Sequence, residues 1–159
     1  MGSVRPYLWF ADRAHEAAEF YASVIPNSSV TRVTPAPSGT PGAEEGAPFI
    51  VDFVLDGMPV TAMNAGPAFV LDEAFSLHLE CDGQEEVDRY WEALVAGGGV
   101  HSQCGWLKDR FGVSWQVVPR QLEDIMGGPD EEGVGRAMRV MLGQQKLVIA
   151  ELQAAYDGA

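Results

Sequence analysis

Basic residues are scarce in this chain. Its 159 residues include 10 lysines and arginines against 23 aspartates and glutamates, which gives a formal charge of −13. A surface of this sign repels phosphate backbones and anionic lipid, so no nucleic-acid partner is expected. No apolar run reaches the roughly 20 residues that span a bilayer, and no basic region followed by an apolar stretch opens the chain. These absences predict a cytoplasmic protein without a membrane partner.

Cysteine is equally rare. Cys81 and Cys104 are the two cysteines of the chain, and both lie in apolar segments with strand-like composition. Their spacing does not resemble the disulfide framework of a small secreted domain. We therefore expect both thiols to be reduced and buried.

Turn signals divide the first half of the chain into a strand, a helix and three further strands. From Ala14 to Val24, apolar residues recur every three or four positions, which is the period of a helix. A loop rich in proline and glycine is expected over residues 34–48, and Asp56-Gly57 is a two-residue hairpin signal. The predicted elements are strands at Tyr7–Phe10, 30–33, 49–55 and 58–63, and one helix at Ala14–Val24.

The second half repeats this order of elements. A shift of 70 positions superposes Asp12 on Asp82 and Tyr21 on Trp91, at the junction between strand and helix and on the helix itself. Agreement of residue class and element order predicts two copies of a βαβββ unit. The predicted elements are strands at 75–81 and 100–103, a helix at 84–96, a hairpin within 104–119, helices at Gln121–Met126, 136–142 and 147–156, and a loop at 127–133.

These patterns predict an α+β fold in which two βαβββ modules form a curved mixed sheet. One domain is expected over 1–120, with modules at 1–70 and 71–120, followed by a helical extension over 121–159. The apolar stripe of the tail needs a surface to cover, either in its own chain or on a partner subunit. We expect a homodimer in which the tail packs across the partner.

The hairpin "CGWLKDRFGVSWQVVP" (104–119) places an amide inside an apolar strand. A buried amide without a partner costs about 1 to 3 kcal/mol, so Gln116 either bonds a neighbouring strand or water, or faces an inner cavity where it meets a ligand. The alternation of a strand predicts two faces. These faces are Ser114, Gln116 and Val118 on one side, and Trp115 and Val117 on the other.

The segments "YLWFADRAHEAAEFYASVIPNSSV" (7–30) and "GQEEVDRYWEALVAGGG" (83–99), with the hairpin, resemble the PhnB-like branch of the vicinal oxygen chelate superfamily. The superfamily also contains glyoxalase I, bleomycin-resistance proteins and extradiol dioxygenases. The resemblance covers nearly the whole chain and implies the glyoxalase-like fold. Members of the branch are often labelled 3-demethylubiquinone-9 3-methyltransferase.

The resemblance also implies where a metal ion would bind, with a histidine on the first strand and a carboxylate on the last strand of each module. Seven residues before Asp12 and Asp82, where those histidines would stand, this chain has Arg5 and Phe75. The carboxylate positions fall on Gln116 in the second module and on Thr61 or Asn64 in the first. None is a good ligand for a divalent transition metal, so we expect neither a metal ion nor any other cofactor.

Several side chains remain as candidates for binding a small molecule. His78 should lie on the face opposite Phe75, either as a surface histidine or as a general base in a pocket. Trp9 could stack on an aromatic ligand, although large aromatic residues more often belong to cores and interfaces. No catalytic residue is assigned. The predicted ligand-binding residues are Trp9, Asn64, His78, Ser114 and Gln116.

Three functions follow from these expectations. The first is binding or transformation of a small, partly apolar molecule in the cup of the sheet without a metal ion. The second is the methyl transfer that the branch label implies, although the glycine run at 97–99 follows a helix and not a strand. The third is a metal-dependent enzyme of the glyoxalase or dioxygenase type with unusual ligands, such as His78 and either Asp72 or Glu73.

Overall fold

The computed structural model describes residues 3–159 and divides the chain into two compact units, Met1–Leu71 and Asp72–Ala159. Each unit contains one βαβββ module with its own four-stranded mixed sheet, and the second unit also contains the C-terminal helices. The α+β fold with two such modules is confirmed. No helix within residues 3–159 combines the length and the apolar character that a membrane span requires.

Module one has the strand order β1-β4-β3-β2, with β1 parallel to β4 and the other neighbours antiparallel. Helix α1 packs on one face of this sheet because its alanines and Tyr21 form a fully buried stripe. Opposite them lie Val51, Phe53, Val60 and Ala62, all of which are almost fully buried. The elements are β1 (Tyr7–Phe10), α1 (Ala14–Val24), β2 (Ser29–Pro35), β3 (Pro48–Leu55) and β4 (Met58–Asn64).

Module two has the equivalent order β5-β8-β7-β6, again with the first and last strands parallel. The buried stripe of α2 includes Trp91 and Leu94, and it packs on the face that carries Leu107, Trp115 and Val117. The elements are β5 (Leu77–Cys81), α2 (Gln84–Val95), β6 (Val100–His101), β7 (Trp106–Lys108) and β8 (Ser114–Pro119).

Three helices complete the second unit: α3 (Gln121–Met126), α4 (Glu131–Gly143) and α5 (Ile149–Asp157). Ile125, Ala137, Leu147 and Leu152 form their common core, and Val118 of β8 packs against it. The buried apolar residues of the tail therefore pack within their own chain, whereas Met138 and Leu142 are 39% and 59% exposed. Packing of the tail across a partner subunit stays a prediction.

Several predicted boundaries shift in the structure. Helix α4 begins inside the predicted loop 127–133, because the Asp130 carboxylate accepts a hydrogen bond from the Glu132 amide and caps the helix. Strand β5 starts at Leu77, so Phe75 lies outside it and is 43% exposed. Cys104 is only half-buried, unlike the expectation, because it sits in a turn with a φ of 56°.

The two hairpins turn in different ways. In module one, Asp56 and Gly57 have φ values of 44° and 77°, the left-handed pair that a tight two-residue turn requires. In module two, Asp109 is 3% exposed and holds a longer loop together. Its Oδ1 accepts hydrogen bonds from the amides of Phe111 and Val113, and its Oδ2 accepts one from the Trp115 indole at 2.8 Å.

Candidate functional site

The most chemically distinct surface is the face of the second sheet that points away from α2. Because Trp115 and Val117 pack toward α2, the alternating residues of β8 point to the other side. Their partners on β5 and β7 share that side, since cross-strand pairs lie on one face. We call this the open face of module two; it consists of His78, Glu80, Trp106, Lys108, Ser114, Gln116 and Val118.

Gln116 is bonded to the residue that precedes β5. Its Nε2 donates to Ser76 Oγ at 2.9 Å. His78 is the register partner of Gln116 and lies exposed on the same face. The count that assigned Phe75 to the ligand position is therefore wrong by one residue, since Ser76 is the residue that reaches Gln116.

Ser114 is the unusual member of this face. It is 2% exposed, and its Oγ has no hydrogen-bond partner among the described residues. Leaving a buried hydroxyl without a partner costs about 1 to 3 kcal/mol, so most buried hydroxyls are bonded. Ser114 is thus a buried hydroxyl without a partner among the described residues, and it lies on the same strand face as Gln116.

Lys108 lies directly across from Ser114 in the pairing of β7 and β8. Its Nζ is 2.5 Å from Oε1 of Glu73, a residue in the loop before β5. The hydrogen bond from Lys108 holds the pKa of the Glu73 carboxyl below its usual range. The sequence did not predict this ion pair.

The far end of the open face is closed by the C-terminal helices. Val118 packs against the core of α3, α4 and α5, whereas Ser114 and Gln116 lie nearer the start of β8. The segment before α5 is tied to the same module, because the amides of Cys104 and Gly105 donate to the carbonyls of Gln144 and Gln145. The accessible part of the face is thus bounded by the helices on one side.

On the equivalent face of module one, three polar side chains bond one another. Arg32, Asp52 and Thr61 lie side by side on neighbouring strands. Thr61 Oγ1 donates to Asp52 Oδ1 at 2.7 Å, and Arg32 Nη2 lies 2.6 Å from Asp52 Oδ2. The Thr61 hydroxyl is the main cause that lowers the pKa of Asp52, Arg32 adds to it, and partial burial opposes both.

Trp9 lies on this same face of module one. Its Nε1 donates to the Gly66 carbonyl at 2.9 Å, and its ring meets Phe69 edge-on with the centroids 5.0 Å apart. Phe69 is 68% exposed. The polar edge of Trp9 is therefore occupied, and only its ring surface is left to contact a ligand.

Asn64 lies on the opposite face of the sheet from Thr61, and its assignment as a ligand-binding residue stays a prediction. Its Oδ1 accepts from the Ala14 amide at 2.7 Å, and its Nδ2 donates to the Pro48 carbonyl at 2.9 Å. Asn64 thus caps the start of α1 and ties the long loop to β4. Beside it lies a hollow of about 370 Å³ lined in part by Asp12, His15 and Glu44, which the sequence did not predict.

The residues at the metal-ligand positions do not fit a divalent ion. In module two the positions hold Ser76 and the Gln116 amide, which bond each other. In module one, Thr61 and not Asn64 is the register equivalent of Gln116, and its hydroxyl is bonded to Asp52. Across residues 3–159, no three histidine, cysteine or carboxylate side chains converge in a group that could hold a metal.

The remaining histidine and the two cysteines have structural surroundings. His101 Nδ1 accepts a hydrogen bond from the Trp91 indole at 2.9 Å, and the two rings stack. Burial raises the pKa of the Cys81 thiol to about 12, so this thiol is not a nucleophile at neutral pH. Both cysteines are free thiols in the structure.

Solved structures define the class to which this fold belongs. A putative 3-demethylubiquinone-9 3-methyltransferase, PhnB protein, from Bacillus cereus is 27% identical, with a TM-score of 0.67 over 74% of this chain and 99% of that one. A Pseudomonas aeruginosa protein is 24% identical, with a TM-score of 0.61 over 75% and 98%. The fosfomycin resistance protein FosX from Listeria monocytogenes is 15% identical, with a TM-score of 0.54 over 79% and 95%, and shares the fold. These likenesses place the chain in the vicinal oxygen chelate superfamily.

The family follows from the sequence match. The family described as 3-demethylubiquinone-9 3-methyltransferase matches residues 2–118, which is most of the chain. The chain therefore belongs to this PhnB-like family. No curated protein matches it.

Proposed function

We propose that this protein binds a small, partly apolar molecule on the open face of module two and does so without a metal ion. The observation that carries the proposal is the hydroxyl of Ser114, which is buried, unbonded and adjacent to the Gln116 amide. A ligand that hydrogen-bonds this hydroxyl would remove its desolvation penalty. The free energy of that hydrogen bond would contribute to the affinity for the ligand.

The neighbouring groups suit such a ligand. Gln116 uses one N–H for Ser76, and among the described residues nothing bonds its Oε1. Trp106, the half-buried partner of Gln116 on β7, offers an apolar surface. A few polar groups beside apolar surface are typical of small-molecule sites. His78 borders Gln116, and we assign it to the rim of the site.

The metal-free part of the proposal rests on donor chemistry. The Gln116 amide and the hydroxyls of Ser76 and Thr61 are weak neutral ligands, and each already has a partner in its own module. Catalytic sites for divalent ions of this kind use three or more histidine, carboxylate or thiolate ligands.

The test is a calorimetric titration of chelator-treated protein with 2-naphthamide, a neutral probe with a flat apolar body and one polar group. Saturable binding is expected, and Ser114→Ala or Gln116→Ala should weaken it about fivefold, the worth of one hydrogen bond. Ser29→Ala, at an exposed position of β2, is the matched control and should bind like the wild type. Binding that ignores both substitutions would contradict the proposal.

We also propose a homodimer, supported by exposed apolar side chains. Phe69, Val70 and Phe75 are 68%, 85% and 43% exposed, and apolar side chains of this size are costly to leave in water. Light scattering at micromolar concentration should give twice the mass of the 17.1 kDa chain. A monomer would contradict this proposal.

The cellular location is proposed from the thiols. Free Cys81 and Cys104 are consistent with a reducing compartment, and we propose the cytoplasm. Cell fractionation tests this directly, and recovery in a secreted fraction would contradict it.

A further inference from the structure

We infer that the ligand of this site carries a carboxylate, which replaces Glu73 as the partner of Lys108. The inference rests on the proposed function, because it names the chemical class bound at the same face. The resulting ligand is a small organic acid with a flat apolar body.

The existing ion pair shows that a carboxylate fits beside the open face. Glu73 belongs to the loop before β5 and is 64% exposed, whereas Lys108 is on β7 and is 33% exposed. The loop is organised by Asp72, whose Oδ1 accepts from the Ala74 amide. Because Glu73 lies outside the sheet and its far side is in solvent, an exposed pair of this kind contributes little to stability. A ligand carboxylate can therefore take its place at small cost.

Ser114 supplies a second hydrogen-bond donor, beside Lys108, for the carboxylate of the ligand. Lys108 and Ser114 are register partners on the same face, so their side chains are neighbours. A hydroxyl that donates to a carboxylate makes a stronger bond than one that donates to a neutral acceptor. A ligand carboxylate between Lys108 and Ser114 would satisfy both, whereas the exposed Glu73 leaves the Ser114 hydroxyl without a partner.

The local charge favours an anion, in contrast to the rest of the chain. The strand residues nearest Ser114 are Lys108, Gln116 and Trp106, and none is acidic. Glu80 shares the face, but it is exposed and pairs with Val118, four residues along β8 from Ser114. In a chain with a net charge of −13, Lys108 therefore places a positive charge beside Ser114, and Glu73 in the loop before β5 is the acidic group that pairs with it.

The apolar part of the ligand is assigned to Trp106. Its indole lies one register pair along the sheet from Lys108, beside Gln116. A flat ring would contact the indole while the carboxylate reaches Lys108, and the Gln116 amide would contact any polar group between them. The order of groups along the face therefore specifies an acid and not a polyhydroxylated compound.

The experiment compares 2-naphthoate with its neutral isostere 2-naphthamide by calorimetric titration at low ionic strength. The wild type should prefer the naphthoate by about tenfold, as expected for a charge-assisted hydrogen bond. Lys108→Met should lower the ratio of naphthoate affinity to naphthamide affinity to about one. Glu73→Gln should strengthen naphthoate binding and leave naphthamide binding unchanged. The control Lys146→Met removes a lysine paired with Asp88 elsewhere in the unit and should preserve the preference.

The outcomes separate this inference from the proposed function. Equal affinity of the wild type for both probes, or a preference that survives Lys108→Met, would overturn the inference while the proposed function stands. Binding of neither probe would overturn both. A naphthoate preference that Lys108→Met abolishes and Glu73→Gln enhances would support it.

Discussion

The two modules share one scaffold but differ in how their polar groups are bonded. Thr61 and Gln116 occupy the same register position, three residues before the last pair of the parallel strands. In module one, Thr61 is bonded to Asp52, which is in turn held by Arg32. In module two, Gln116 bonds Ser76, but the neighbouring Ser114 hydroxyl is left without a partner.

In our proposal, this difference in hydrogen bonding makes the face of module one a structural surface and the open face of module two a binding surface. A buried polar group that is already bonded gains little from a ligand, whereas an unbonded one gains the full hydrogen bond. The position two residues before Thr61 is Pro59, which has no hydroxyl at all. This difference in hydrogen bonding is the basis on which we propose a ligand site in module two and not in module one.

The largest expected effect is on the free energy of unfolding, and it compares substitutions in the hairpin loops of the two modules. Asp109→Ala should destabilise the protein by about 3 kcal/mol, because two backbone amides and the Trp115 indole lose a buried partner. Asp56→Asn, in the tight turn of module one, should change stability by less than about 0.5 kcal/mol, since asparagine tolerates the left-handed conformation. Urea unfolding measures both. Equal effects would contradict the structural role of Asp109.

The next effect tests whether the tail stabilises module two in its own chain. Leu147→Ala should cost about 3 kcal/mol, because Leu147 is fully buried and packs against Gly105. The control Leu142→Ala, at a position 59% exposed, should cost less than about 0.5 kcal/mol. Thermal unfolding at several protein concentrations gives both values. A Leu147→Ala effect that depends strongly on concentration would indicate a partner subunit as the packing surface.

A smaller effect tests the hydrogen bonding on the equivalent face of module one through pH. The pKa of Asp52 is lowered from its ordinary value of 3.8, chiefly by the Thr61 hydroxyl and then by Arg32. The carboxylate therefore contributes stability that is complete above that value and lost as the pH falls through the lower folded value. Asp52→Asn should cost about 1 kcal/mol at pH 7 and flatten the loss of stability below about pH 4. An unchanged acid limb of the stability curve would contradict this account.

The smallest expected effect concerns the methyl transfer in the family description. The glycine run at 97–99 follows α2, whereas glycine turns that cradle a nucleotide follow a strand. S-adenosylmethionine should therefore leave the melting temperature unchanged. A ligand at 100 times its Kd would stabilise the protein by about 2.7 kcal/mol, so a clear upward shift would support methyl transfer.

Local patterns predicted most of the fold. The helix Ala14–Val24 and the strand Tyr7–Phe10 are found as predicted, because strong periodicity and a clear stop at Pro26 agree. The start of α4 was missed because glycines at 127–128 suggested a longer loop, while Asp130 caps the helix early. The alternation of β8 assigned Val118 to the correct face of the sheet. No local sequence pattern shows that the C-terminal helices pack against this residue.

The site was predicted in part. The alternation of β8 placed Ser114 and Gln116 together, but the shift of 70 residues that aligns the helices does not align the strands. Three residues separate β1 from α1, whereas two separate β5 from α2. This one-residue difference explains why Phe75 was assigned where Ser76 lies. The Lys108–Glu73 pair depends on a loop whose path no local pattern specifies.

The most direct test of the central claim is a paired measurement of metal content and 2-naphthamide affinity on one chelator-treated preparation. The account predicts far less than one Zn²⁺, Ni²⁺, Fe²⁺ or Mn²⁺ per chain, with saturable binding that Ser114→Ala weakens. Binding that appears only after a divalent metal is added, at near one ion per chain, would contradict it.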